Sequence, residues 1–206
     1  TALHDAVGRV LDTLDHTGPR GNTLVMFISD MGAILRPTHG FDAASNAPFR
    51  GDAPSMYEGG IRVPAIFRWP GQIKPGTITR EVLTQLDVLP LCLRAAGAKP
   101  VEGRILDGAD PLPVLAEGTK SPHDHIVAHL GGAAALREGR WKIVRGAGDR
   151  PWELYDLQTN PTESSDLALR HPTELQRLAA LHAAWEADVR EDASEPVPYA
   201  PIKARK

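Results

Sequence analysis

The chain reads as an α/β protein: a partial mixed or parallel sheet with flanking helices, followed by a small antiparallel sheet with a covering helix. Three observations predict this. Apolar residues at helical spacing near the start lead through Gly18–Pro19 into the unbroken apolar run Thr23–Ile28, the helix, turn and strand of half an α/β unit. Short strand-like stretches after residue 120 are separated by turn chemistry. A helical pattern from Thr173 to Val189 then follows.

Taken in order, Thr1–Arg20 predicts a helix. Leu3, Ala6, Val7, Val10, Leu11 and Leu14 share one side, and Gly18–Pro19 ends it. A chain that opens inside an amphipathic helix reads as a piece of a longer protein, with a processed N-terminus as the alternative. Thr23–Ile28 is the kind of strand found in a parallel sheet covered on both faces. Met31–Phe49 is a loop rich in Gly, Pro, Asn and Ala. Arg62–Trp69 is a second strand, and Pro64 places it near an edge or at the strand's first residues.

Thr84–Ala96 predicts a short helix ended by Gly97, with Thr84 and Asp87 spaced as a capping box. Pro90 inside it predicts a kink or a break into two pieces. Cys92 falls on the apolar side and reads as a small buried hydrophobe. Pro100–Pro122 reads as loop. Ile126–Leu130, Ala134–Leu136, Trp141–Val144 and Glu153–Leu157 predict strands, with Arg137–Arg140 as a hairpin turn. In the final helix Leu175, Leu178, Ala179, Leu181, His182 and Trp185 share one side. Ser194–Lys206, with three prolines and four charged residues, reads as a poorly ordered tail. The expected division is an α/β part over residues 1–120 that is missing strands, a small sheet with its helix over 121–190, and a tail over 191–206.

Composition narrows the function. The 206 residues are 42% hydrophobic and 24% charged, ordinary globular values. A net charge of -3 with mixed signs gives no case for nucleic acid. No apolar run approaches the roughly 20 residues of a membrane span. A single cysteine rules out an internal disulfide framework and a cysteine-based zinc site.

The chemistry-bearing stretch is Ser29–Asp30–Met31–Gly32 at the end of the first strand, then Asn46–Gly51, then Tyr57–Pro64. A carboxylate at a strand's C-terminal end, a glycine-rich loop and an Arg-bearing strand form a layout for holding an anion beside a metal. Where a cationic side chain is expected stands Ala53, and beside the carboxylate stands Met31.

In order, NTLVMFISDMG, NAPFRGDAPSMYEGGIRVPAIFRWPGQIKPGT, TQLDVLPLCLRAAGA, LDGADPLPVL, ALREGRWKIVR and WELYDLQTNPTESSDLA resemble the C-terminal half of sulfatases, the formylglycine-dependent sulfuric ester hydrolases of the alkaline phosphatase superfamily. The resemblance covers residues 1 to about 190. It implies an incomplete alkaline-phosphatase-like domain and hydrolysis of a sulfate ester, a small molecule or a sulfated glycan, by a formylglycine hydrate beside Ca²⁺. It places that nucleophile, in a Cys/Ser-X-Pro-X-Arg motif, together with a pair of calcium-binding aspartates, in an N-terminal half; Cys92 is followed by no such motif. Asp30 matches the family's C-terminal metal-ligand aspartate, a hard oxygen donor suited to Ca²⁺. Met31 stands at the family's asparagine, where a thioether is a poor ligand for a hard ion. Ala53 stands at the family's lysine, and losing a charge-assisted contact there costs about 1.5–3 kcal/mol.

The other candidates carry two readings each. Arg50 and Arg62 brace the loop or touch the anion. Gly59 and Gly60 permit close backbone packing. His39 and Asp42 are solvated loop residues or substitute ligands. His123, His125 and His129 share a strand face, which suggests a metal, whereas the resemblance makes His129 structural or pocket-lining. Trp141, Trp152 and Tyr155 form the aromatic core of the small sheet or a sugar platform.

Three functions follow: a sulfatase portion inert by itself, a degenerate homologue used as a binding or structural module, and a related phosphodiesterase or phosphonate hydrolase. A sheet deprived of strands exposes apolar edges, so self-association is expected of the isolated chain.

Overall fold

The computed structural model describes residues 2–35 and 44–192. The chain forms two compact units, Thr1–Ile126 and Val127–Lys206.

In the first unit, helix α1 (Ala2–Thr17) is followed by Gly18 in the left-handed region (φ 92), which a side-chain-free residue adopts without strain, and by a 3-10 turn Pro19–Asn22. Strand β1 (Val25–Ile28) pairs with β2 (Ala65–Arg68), with Val25 opposite Arg68 and Phe27 opposite Ile66. The pairing is antiparallel, so the parallel neighbour expected for the apolar run is not the one β1 has here. An unbroken apolar run carries no information on strand direction. Met26 and Phe67, opposite each other, pack on a core of Leu91, Leu112 and Leu115. The other face is open: Phe27 and Ile66 are 37% and 61% exposed.

Between the strands lies one helical turn, α2 (Glu58–Ile61). A 3-10 turn Gln85–Asp87 leads into α3 (Val88–Ala95). The Thr84–Asp87 capping box is present with both bonds made. The break falls at Asp87–Val88, ahead of Pro90, which sits in the first turn of α3 where a missing N–H costs nothing. Leu91 faces the core at 0% exposure, which turns its neighbour Cys92 outward. The expectation of a buried Cys92 is therefore corrected. The segment 100–122, read as loop, contains α4 (Leu112–Glu117), started by Pro111 and Pro113 and closed by left-handed Gly118 (φ 72).

The second unit is built on a four-stranded sheet in the order β3 (Ile126–Leu130), β4 (Ala133–Glu138), β5 (Trp141–Arg145), β6 (Glu153–Asp156). Glu138 pairs with Trp141, so Gly139–Arg140 is a two-residue hairpin loop, with Gly139 supplying the positive φ of 55°. Leu136, Ile143 and Leu154 lie side by side across three strands and pack on Leu178 of α5 (Pro172–Asp192). Trp141 and Trp152 pack against this core half-covered, as the aromatic-core reading expects, whereas Tyr155 is buried on the opposite face of the sheet, across from Lys142. The tail from residue 193 lies outside the described residues.

Candidate functional site

The site is a backbone construction around the end of β1. The Ser29 N–H donates to the Pro64 carbonyl (3.2 Å), extending the β1–β2 alignment to the tip. Beyond it the chain must pass α2 closely. The Gly32 N–H donates to the Gly60 carbonyl at 2.9 Å, and the Gly59 N–H donates to the Arg50 carbonyl at 2.7 Å. A Cβ on Gly32 would overlap the Gly59 carbonyl oxygen, and one on Gly59 would overlap the carbonyls of Arg50 and Gly51. One on Gly60 would overlap the Ser55 carbonyl. Only glycine lets three backbone segments approach this closely.

Asn46 ties the loop to the tip. Its Oδ1 accepts the Ala33 N–H at 2.8 Å, and its Nδ2 donates to the Ala33 carbonyl (2.8 Å) and the Gly51 carbonyl (3.2 Å). Sequence reasoning gave Asn46 no role; an Asn before Ala-Pro is only a weak turn signal. Asp52 accepts the Leu35 N–H at 3.3 Å. A hollow of about 440 Å³ opens beside these residues, with Leu35, Asn46, Phe49 and Asp52 on its wall.

Asp30 stands exposed at the tip. Its Oδ1 accepts the Met31 N–H at 3.0 Å, and Ser29 Oγ donates to the Met31 carbonyl at 2.9 Å. Asp30 does not line the hollow. Met31 is 43% exposed. Ala53 is buried at 2%, its N–H donating to the Ala33 carbonyl at 3.3 Å. No cation therefore stands at that position.

Arg50 and Arg62 are both engaged within the loop. The Arg50 guanidinium lies 3.9 Å from the Tyr57 ring centroid and donates to the Tyr57 hydroxyl at 3.1 Å. Arg62 lies over the Phe49 ring at 4.6 Å, with Nη1 3.5 Å from the buried Glu58 carboxylate. His39 and Asp42 lie outside the described residues.

The histidines have separate surroundings. His123 Nε2 donates to both oxygens of the buried Asp87, at 2.8 and 3.0 Å. Asp87 also accepts the Thr84 and Ala109 N–H groups, at 2.8 and 2.9 Å. His129 is exposed on β3, its ring 6.5 Å from that of Trp185. Among the described residues no group of three or more His, Cys, Asp or Glu is placed to hold a metal ion. The shared-face metal reading of His123, His125 and His129 is therefore not supported: the ring of His123 is turned to Asp87, and His123 and His125 precede β3.

Ca²⁺ takes 6–8 oxygen ligands. The carboxylate of Asp30 fits one place in such a sphere. The thioether of Met31 does not. The described residues of this chain do not form the sphere themselves.

The chain is similar to known proteins. The family described as Sulfatase matches residues 1–98. That described as N-sulphoglucosamine sulphohydrolase, C-terminal, matches residues 51–186. Steryl-sulfatase of Mus musculus is 39% identical over 158 residues, which are 75% of this chain and 24% of that protein. N-acetylgalactosamine-6-sulfatase of Mus musculus is 32% identical over 160 residues, 77% of this chain and 30% of that protein. The crystal structure of Ps i-CgsB is similar with a TM-score of 0.76 at 29% identity, over 87% of this chain and 40% of that one. The chain thus spans between 24% and 40% of the length of these relatives.

Proposed function

Because this chain belongs to the sulfatase family, we propose that it is the C-terminal portion of a sulfuric ester hydrolase. It contributes Asp30 as one metal ligand and the glycine-packed loop as a wall of the anion pocket. The observation that carries this is the exposed Asp30 carboxylate at the end of β1, two residues before the close-packed backbone approach at Gly32. The formylglycine nucleophile and the remaining calcium ligands come from outside this chain. A hard cation so held would neutralise charge on the sulfate group while water replaces the alcohol, R–O–SO₃⁻ giving R–OH and sulfate.

The role of Asp30 is electrostatic and positional. Arg50 and Arg62, spent on Tyr57, Phe49 and Glu58, keep the loop's shape and so keep the pocket wall in place. The substrate is a sulfate-ester small molecule or a sulfated glycan; the two mouse relatives are named for a steryl sulfate and for a sulfated amino sugar.

Residues 1–206 alone are expected to show no turnover of an aryl sulfate. Hydrolysis that survives Asp30→Ala would overturn the site assignment. A second reading is favoured by Met31 and Ala53, where two anion-site positions carry no suitable group: a non-catalytic homologue serving as a binding or structural module. The coding sequence upstream separates the two. A Cys/Ser-X-Pro-X-Arg motif with paired aspartates supports the enzyme, and their absence supports the module.

A further inference from the structure

The side-chain amide of Gln85 sits against the end of β1. Its Nε2 lies 2.9 Å from the Ser29 carbonyl and 2.9 Å from the Asp30 carbonyl, across 56 and 55 residues of sequence. Two acceptors face this group, so the amide presents its NH₂, and its two hydrogens serve the two carbonyls. We propose that Gln85 is a positioning residue for Asp30: it clamps the turn that aims the carboxylate. This rests on the assignment of Asp30 as a ligand.

The platform behind the clamp is rigid. Gln85 is the first residue of the 3-10 turn, and the Thr84–Asp87 capping box fixes that turn at both ends. Asp87, 2% exposed, is held in turn by the Ala109 N–H and by His123. A Cβ on Gly108 would overlap the Leu86 carbonyl, so the backbone leading into Asp87 is closely seated. A buried network thus ends in one exposed amide, and that amide holds the strand tip. The tip's remaining carbonyl, that of Met31, accepts Ser29 Oγ at 2.9 Å. With the carbonyls of Ser29, Asp30 and Met31 all engaged, the Asp30 carboxylate is the hard donor this turn presents outward.

The exchange test uses the 206-residue chain. Gln85→Met keeps length and removes the donor. Gln85→Lys restores donors on a chain of similar reach. Amide hydrogen exchange is read at Met31 and Gly32, with Leu91 as an internal control, and Ca²⁺ affinity is read in the complete enzyme proposed above. Expected in Gln85→Met is exchange at Met31 faster by roughly tenfold, with Leu91 unchanged, because local opening is released without global unfolding, and weaker Ca²⁺ binding by the complete enzyme. Gln85→Lys is expected to restore protection. Unchanged Met31 exchange in Gln85→Met, or acceleration matched at Leu91, overturns the clamp. The ligand assignment fails separately: Ca²⁺ affinity of the complete enzyme untouched by Asp30→Asn would remove Asp30 as a ligand, while the exchange data still decide what Gln85 does.

Discussion

Lys142 Nζ lies 2.8 Å from Glu163 Oε1, and both side chains are fully buried. Lys142 sits opposite Tyr155 on the face of the small sheet turned away from Leu136, Ile143 and Leu154. Glu163 adopts φ 52, the one positive φ among the described non-glycine residues. A non-glycine residue in that region carries a steric cost. Removing Lys142 takes this ion pair away from a carboxylate that stays buried. Lys142→Ala is expected to destabilise the chain by about 3–5 kcal/mol. The paired change Lys142→Met with Glu163→Gln is expected to cost less than Lys142→Ala alone. Chemical denaturation of the three proteins checks this, and a double variant as unstable as the single one refutes it.

The glycine packing predicts an asymmetry among alanine substitutions. Gly59→Ala drives a methyl into the Arg50 and Gly51 carbonyls and is expected to destabilise by about 1–3 kcal/mol. Gly8 in α1 has open space where a methyl would stand, so Gly8→Ala is expected to stabilise by about 0.5–1 kcal/mol through helix propensity. Thermal melts that rank the two the other way would contradict the close approach at α2.

His182 makes stability depend on pH. Its ring is 2% exposed, 5.0 Å from Trp152 and 5.7 Å from Trp185, and Nε2 has no hydrogen-bond partner among the described residues. Burial holds its pKa below 6.5, with Arg145 and His129 acting in the same direction and Glu186 against it. The folded state therefore disfavours the proton that the unfolded state accepts near pH 6.5. This contribution is full above about pH 6.5 and declines as pH falls from there toward the depressed folded pKa. His182→Phe is expected to flatten that part of the profile, measured as Tm between pH 7.5 and 5.5 against the parent. An equal slope in both proteins would exclude His182 as the source.

Ala53 offers a gain-of-contact test. Its N–H is tied to the Ala33 carbonyl, just past the Asp30 turn, and its side chain is buried. Ala53→Lys places an ammonium where desolvation disfavours charge, so a lower Tm is expected without ligand. If this position faces the anion pocket, added sulfate recovers part of that loss by mass action in the variant and does little for the parent. Identical sulfate responses in the two proteins would place Ala53 away from the pocket.

Local chemistry made much of this legible. The Thr84–Asp87 box needs only three residues of spacing, and both its bonds are present. The hairpin at Gly139 follows from a turn residue between two apolar stretches. Cys92 shows the limit. Helical periodicity defines a face, but only contact of Leu91 with Leu112 and Leu115 sets which residue points to the core. Gln85 was illegible for the same reason. An exposed polar residue at a helix start has no local signature of the carbonyls it holds across 55 residues.

The amino-acid order alone determined the α/β class, the helices and strands other than the short α2 and α4, and the family resemblance, because these depend on periodicity, turn residues and short motifs that act over a few residues. Tertiary structure decided the antiparallel partner of β1, the outward turn of Cys92, and the anchoring of Asp30 through Gln85. It also decided the burial of Lys142 with Glu163. Those are contacts between distant segments, and their free energy arises only when the chain brings the segments together.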